Sequence, residues 1–354
     1  MKQKLLALAA VAALSLTLLT GCGKGKADPS PSVAPTPTPT PTASAPAEKT
    51  KVNVAMLNGP TGMGAAKLMA DAEAGETALD YTFSVFTAND QVTAALTNGE
   101  VDIAAIATNV AANYYNKTKG SVQLAALNTY GVLKILQAGE GEEIEDLSDL
   151  AGESLYATGK GANPEFVLNY LLTENGLDPE KDVDIQWVTP EEVTQALLSG
   201  KTRFAMLPVP AATAAMAKSQ GSVKLVLDLN EVWNEAATEG KLTMGCVVVR
   251  KEFAEQEPEA VRTFLEEYER SIAYMADPES LTVSSDLNPG QLLEKYGIVP
   301  SAAIGEKALP QANLTFLAGA EAMRNAIQGY YEVLYAADPA SIGGGIPDDG
   351  FYFE

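Results

Sequence analysis

Two short stretches have the residue types and spacing to do chemistry. The first is "LNGPTGMGAAKLM", Leu57–Met69, in which Gly59, Gly62 and Gly64 sit with a proline between an apolar strand-like run and a helix-like run. The second is "TGKGANPEF", Thr158–Phe166, again a glycine-rich turn between a strand and a helix start. The chemistry such turns offer is binding. Free backbone N–H groups and the dipole at a helix N-terminus favour negative or hydrogen-bond-accepting groups, and glycine lets a backbone approach a ligand with no Cβ in the way. Each turn alone is equally ordinary strand-to-helix chemistry; two of them, one in each half, suggest a clamp on one small molecule. Neither is a phosphate-cradling P-loop, and the first reads G-x-x-G-x-G, which is not the dinucleotide fingerprint. No cofactor and no metal site are expected.

Composition narrows the chemistry further. The 354 residues hold no histidine and only two cysteines, Cys22 and Cys246. Without histidine the usual general base and the commonest metal ligand are missing, so Ser-His-Asp and Cys-His mechanisms are excluded. A carboxylate or lysine mechanism is not, but no carboxylate pair falls in the two turns, and no enzyme is expected. Cys246 lies in an apolar run and reads as a small buried hydrophobe. The net charge of −22 disfavours nucleic acid and anionic lipid headgroups as partners and suits a soluble body at an exposed surface.

The N-terminus reads as a targeting signal. Lys2 and Lys4 precede an apolar core, Leu5–Leu19, too short to span a membrane comfortably. Leu19-Thr20-Gly21-Cys22 follows and resembles the bacterial lipobox, which implies cleavage of residues 1–21 and lipid attachment to Cys22. Residues 22–50 then form a linker; seven prolines lie between Pro29 and Pro46, interleaved with threonine. Such a segment cannot bury a core and favours extended polyproline II, a tether between membrane and folded body.

From Lys51 onward strands and helices alternate. Strands are predicted at Val52–Leu57, Tyr81–Phe86, Asp102–Ala107, Val122–Asn128 and Val132–Gln137, with helices at Gly64–Ala74, Asn89–Asn98 and Val110–Lys117. After the acidic segment Glu140–Asp149 the alternation restarts. Strands at Ser154–Ala157, Val183–Val188, Arg203–Leu207, Val223–Leu227 and Thr243–Arg250 enclose helices at Pro164–Glu174, Glu191–Leu198 and Ala211–Lys218. Asn163 is read as the N-cap of the first of these, with Pro164 in its first turn. Long amphipathic helices at Glu259–Met275 and Ala318–Tyr335 follow. The pattern is α/β with mostly parallel sheets in two units, followed by a helical tail.

Four stretches carry a family resemblance: "ALTNGEVDIAAI" (Ala95–Ile106), "LSDLAGESLYATGKGANPEFVLNYLL" (Leu147–Leu172), "EEVTQALLSGKTRFAMLP" (Glu191–Pro208) and "VVVRKEFAEQEPEAVRTFLEEY" (Val247–Tyr268). With them the body resembles the type II periplasmic binding proteins of ABC importers, in the branch that binds nitrate, sulfonates, taurine and thiamine-pyrimidine precursors. The resemblance implies two lobes, residues 51–132 plus 245–354 and residues 133–244, joined by crossings near Tyr130–Lys134 and Lys241–Cys246. It implies hinge closure on a small-molecule ligand, a monomer, and permease and ATPase subunits as partners. A lipoprotein that binds ligand without transport has the same sequence features.

On that plan the ligand contacts are Asn58, Gly59, Thr61, Gly62, Met63, Gly64, Thr108, Asn109, Tyr130 and Met244 from one lobe. Thr158, Gly159, Lys160, Gly161, Asn163 and Pro208 come from the other. Backbone N–H groups at 62–64 and 161–163 are expected to donate, Thr61, Thr108, Asn109 and Asn163 to add side-chain bonds, and Tyr130 to stack on a planar ligand. Lys160 either neutralises an anion or is a solvated loop lysine. Tyr114 and Tyr115 read as helix packing. Gly62→Val and Gly161→Val are each expected to abolish binding and leave the fold largely intact. The small apolar residues of the turns slightly favour a heteroaromatic ligand over nitrate or a sulfonate. The segment Gly343–Phe353 has no expected role beyond docking.

Overall fold

The computed structural model describes residues 49–236, 240–277, 279–280 and 287–354. The signal segment, Cys22 and nearly all of the linker lie outside them. Among the described residues no helix is long and apolar enough to cross a membrane.

The elements run β1 (Lys51–Leu57), α1 (Pro60–Met63), α2 (Ala66–Ala74), β2 (Asp80–Phe86), α3 (Asn89–Asn98), β3 (Ile103–Ala107), α4 (Thr108–Thr118), β4 (Val122–Thr129) and β5 (Leu133–Ala138). They continue with β6 (Ser154–Ala157), α5 (Asn163–Glu174), β7 (Asp184–Trp187), α6 (Pro190–Leu198), β8 (Phe204–Pro208), α7 (Ala211–Lys218), β9 (Val223–Asp228) and α8 (Leu229–Ala236). The last part holds β10 (Gly245–Arg250), α9 (Lys251–Gln256), α10 (Pro258–Ala276), α11 (Pro289–Lys295), α12 (Ala302–Ala308), β11 (Leu314–Leu317) and α13 (Ala320–Ala337).

Two mixed sheets result, one ordered β11-β4-β10-β3-β1-β2 and the other β7-β6-β8-β5-β9. In the first, β1 is parallel to β2 and β3, while β10 runs antiparallel to both β3 and β4, so β1–β4 share one direction. In the second, β6 is parallel to β7 and β8, and β5 alone runs against β8 and β9. The α/β class expected from the alternation is the class observed. The strands are apolar on both faces because helices cover both; Ile103, Ala104, Ala105 and Ile106 of β3 are all fully buried.

Local chemistry explains the boundaries. Gly99, left-handed at φ 69°, ends α3 as a C-terminal glycine does. Thr189 and Glu192 form a capping box on α6 with Pro190 at its first position. The expected single helix 64–74 is instead two pieces. Pro60 starts α1 earlier than expected, and Gly64 and Ala65 separate it from α2. Helix α10 buries Val261, Phe264, Tyr268, Ile272 and Met275, and α13 buries Met323, Ile327, Tyr331 and Leu334, along the stripes that the periodicity predicts. The C-terminal segment docks on α4 and β4. Phe351 is fully buried, the Phe353 N–H donates to the Leu124 carbonyl at 2.9 Å, and the Tyr115 hydroxyl donates to Asp348. That explains Tyr115 as packing. Tyr114 meets Thr97 through its hydroxyl at 3.0 Å.

Candidate functional site

Strand direction marks where a candidate site can lie. The β4–β5 link is residues 130–132, and it joins the C-terminal edge of the first sheet to the edge of the second where β8 and β9 end. Leu133 pairs with Pro208 and Lys134 with Asp228. In open parallel sheets, ligands bind at the carboxyl ends of strands, and here two such edges meet at one crossing.

On the first sheet, hydrogen bonds gather the predicted residues. Thr129 Oγ1 reaches the Pro60 carbonyl at 3.5 Å, the Met244 N–H donates to the Thr129 carbonyl at 3.0 Å, and the Thr108 N–H donates to the Met244 carbonyl at 3.3 Å. The β1–α1 turn, the start of α4, the crossing and Met244 are thereby one cluster, with Asn109 next to Thr108 and half-buried. Asn128, which the sequence reading missed, donates to the Thr61 carbonyl at 2.9 Å and to the Tyr268 hydroxyl at 2.8 Å. The half-buried Tyr130 is fixed by its N–H to the Asn313 carbonyl at 3.0 Å. Asn58 donates its N–H to the Phe86 carbonyl, and Met63 is fully buried.

On the second sheet, Thr158 follows β6 and Pro208 is the last residue of β8, and the two strands are paired, Ala157 with Met206. Lys160, Gly161 and Ala162 are exposed, whereas Asn163 is buried.

The roles expected of the glycines change. A Cβ on Gly62 would stand 2.1 Å from the Leu57 carbonyl oxygen, and one on Gly64 would stand 2.6 Å from Ile272 Cγ1. Both glycines serve close packing of the chain on itself, so Gly62→Val is a folding lesion and not a clean binding lesion. Gly59 is needed for its backbone, φ 81° and ψ −158°, a region closed to other residues. The backbone donors also change. The Gly62 N–H goes to the Gly59 carbonyl, the Gly161 N–H to the Glu165 carboxylate, and the Ala162 N–H to the Gly159 carbonyl. Asn163 is not the N-cap of α5. Ala162 holds that place with no side-chain bond, and Asn163 is the first helical residue.

Side chains near these turns leave polar atoms unpaired. Thr108 Oγ1, Asn163 Oδ1, Thr243 Oγ1 and the Tyr330 hydroxyl are buried polar atoms with no hydrogen-bond partner. Thr108 opens α4 and Asn163 opens α5, one from each sheet. They are joined through α13: the Tyr331 hydroxyl donates to the Thr108 carbonyl at 3.1 Å, the Tyr330 and Tyr331 rings are 5.7 Å apart, and Asn163 lies near enough to the Tyr330 phenol to lower its pKa, although the two side chains do not meet with hydrogen-bond geometry. Leaving such atoms unpaired costs about 1–3 kcal/mol each. Tyr330 was not found from the sequence because α13 is distant in the chain, and Thr243 was passed over for its neighbour Met244 on the same return to β10. A second missed feature is the ion pair of Lys134, fully buried, with Asp228. Asp228 Oδ1 accepts the Asn230 N–H at 2.9 Å, and Asn230 Oδ1 accepts the Gly131 N–H at 3.1 Å, which clamps the crossing.

Burial pushes the Cys246 thiol up to about 12, with Thr108 opposing. Burial likewise raises the phenols of Tyr330 and Tyr331, each aided by Cys246. Burial, with Asp348 adding to it, pushes the Tyr115 phenol up to about 12. A group whose folded pKa is raised keeps its stabilisation below its unfolded pKa and loses it as pH rises through the folded one. The urea midpoint is therefore expected to hold steady at pH 7–8, fall from about pH 9 and keep falling to about pH 12. A midpoint flat across that window would contradict these burials.

Comparison with known proteins accords with this architecture. The B. subtilis (strain 168) binding protein YtlA is 25% identical over 177 residues, which cover 40% of this chain and 52% of that protein. The chain thus spans about half the length of that curated relative. Among solved structures, an ABC transporter protein from Parabacteroides distasonis superposes with a TM-score of 0.67 at 23% identity, covering 86% of this chain and 99% of that one. The E. coli periplasmic aliphatic sulphonate binding protein SsuA gives 0.62 at 19% identity over 84% of this chain and 92% of that one. The Synechocystis periplasmic nitrate-binding protein NrtA gives 0.52 at 15% identity over 77% and 74%. At these identities the likeness is one of fold. The family model of the NMT1-like family matches residues 45–285, well over half of the sequence. By that match, and with the two-sheet fold it shares with solved binding proteins, the chain belongs to the NMT1-like family.

Proposed function

We propose that the chain is the extracytoplasmic substrate-binding component of an ABC importer, anchored to the bacterial cell membrane by lipid on Cys22. In this reading the lobes are residues 51–132 plus 245–354 and residues 133–244, and they close by a hinge at the crossings on a small organic molecule. It binds without turnover and hands the ligand to a permease driven by an ATPase. The observation that carries the reading is the pair of unpartnered buried side chains, Thr108 and Asn163, at the first positions of two helices, one after each sheet. Polar atoms of a ligand between the lobes satisfy both. The ligand favoured is a neutral heteroaromatic molecule ahead of a sulfonate or nitrate. Thr108, Asn163, Thr243 and Tyr330 are all uncharged, and Lys160 points to no buried partner and is exposed.

A thermal-shift screen tests it, with pyrimidines, flavins, sulfonates, taurine, nitrate, small carboxylates and amino acids. A ligand at a hundred times its Kd adds about 2.7 kcal/mol, a shift of several degrees for a body of this size. One chemical class is expected to shift Tm, and Thr108→Val or Asn163→Leu to remove the shift. A shift that survives both substitutions refutes the site. Cys22→Ala is expected to move the protein from the membrane fraction to the soluble fraction; retention in the membrane refutes the anchor.

A further inference from the structure

A cavity begins beside Glu165, two residues along α5 from Asn163, and runs away from the strand ends. It has a volume of about 980 Å³ and runs along α5 from Glu165 to Thr173, with α13 as its other wall from Gly329 to Ala337. At about 1.5 Å per residue, its far end is about 15 Å from Asn163. Its floor is Trp233 of α8, fully buried, and the indole Nε1 has no hydrogen-bond partner. The Tyr170 ring packs on that indole with centroids 5.1 Å apart, and Phe166 and Val333 add apolar wall.

We propose that this groove is a second small-molecule site, for a planar aromatic molecule that carries a cationic amine and one hydrogen-bond acceptor. The volume is that of a drug-sized pocket, and an apolar floor with a few polar groups is what such sites have. Trp233 N–H is a donor without a partner, so the occupant supplies an acceptor. Aromatic rings form the floor, so the occupant presents a ring. The charges lining it are carboxylates, Glu165 on α5 and Glu332 on α13, and among the described residues no lysine or arginine lines the cavity. Glu165 accepts the Gly161 N–H and Glu332 accepts the Gln328 amide at 2.9 Å, which leaves carboxylate lone pairs for an ammonium group. The cavity walls come from both proposed lobes, α5 and α8 from residues 133–244 and α13 from residues 245–354, but the lining does not include Thr108 or Asn163, so binding here and binding at those two residues are separable by substitution.

Titration calorimetry with three matched probes tests the assignment on the purified chain. Tyramine carries the ring, the acceptor and the ammonium; p-cresol lacks the charge; 4-hydroxyphenylacetate reverses it. Tyramine is expected to bind more tightly than p-cresol, and the anion not at all. Val333→Trp, which fills the groove, is expected to abolish tyramine binding. Glu332→Gln, on an exposed position, is expected to weaken tyramine by about fivefold and leave p-cresol unchanged. Trp233→Phe is expected to weaken both by about tenfold. Failure of tyramine to bind at millimolar concentration, equal binding of the anion, or binding that survives Val333→Trp overturns the proposal.

Discussion

Asp228→Ala is expected to lower the unfolding free energy by about 3–5 kcal/mol, the cost of stranding one member of a buried ion pair. Lys134 is 0% exposed and Asp228 18%, so once its carboxylate is gone the ammonium can be reached by water only from the Asp228 side. The same carboxylate also fixes Asn230, and through it the Gly131 N–H of the crossing. The loss is therefore expected to be larger than the pair alone, with a broadened urea transition if the crossing loosens before the rest. Lys134→Met with Asp228→Leu removes both charges and is expected to recover most of the stability, because two apolar groups replace a costly pair. Urea unfolding at pH 7 measures all three chains. A loss below about 1 kcal/mol for Asp228→Ala would place the pair in the class of solvated surface bridges and contradict the burial.

Gly62→Val is expected to cost at least about 3 kcal/mol or to prevent folding, at the upper end of overpacking losses. The obstacle to its Cβ is a backbone carbonyl, that of Leu57, which cannot move without breaking β1. Gly161→Ala is the contrasting case. Its Cβ would meet nothing within 4 Å, and only the backbone, at φ 71°, resists it, at about 1–2 kcal/mol. A soluble, cooperatively unfolding Gly62→Val chain with an unchanged midpoint would show that the turn is looser than described. A Gly62→Val loss no larger than that of Gly161→Ala would show that the Leu57 carbonyl yields to the added Cβ at little cost.

These two substitutions also mark how far the sequence could be read. Elements announced by local chemistry came out with their expected limits: α3 between its start and Gly99, β6 before its glycine turn, and α7 after Pro210. The parallel strands were legible because helices on both faces make them continuously apolar. Helix α8 was not, since it follows β9 with no intervening turn and spans only 229–236. Strand β11 is four residues at a sheet edge, and it exists because β4 offers a partner nearly two hundred residues earlier. At the site, the glycine-rich turns were legible as turns. Their reasons were not, because what a Cβ would strike at Gly62 or Gly64 is set by the folded chain. Thr108 and Asn163 were named from their place after strands, and both are buried at the first positions of α4 and α5. Thr243 was passed over for its neighbour Met244, and Tyr330 and the Lys134–Asp228 pair were missed because each acquires its meaning only from elements brought together by tertiary packing.

The central claim is that residues 51–132 plus 245–354 close on residues 133–244 around a ligand. The direct measurement is the spin–spin distance between labels at Asp90→Cys and Glu191→Cys in a Cys22→Ser background. Both labelled positions are exposed in the first turn of α3 and α6, and Cys246 is buried and stays unlabelled. With the strongest stabiliser from the solute panel added, the account predicts that the distance distribution shortens and narrows. A distribution unchanged at saturating ligand would contradict closure between the two sheets.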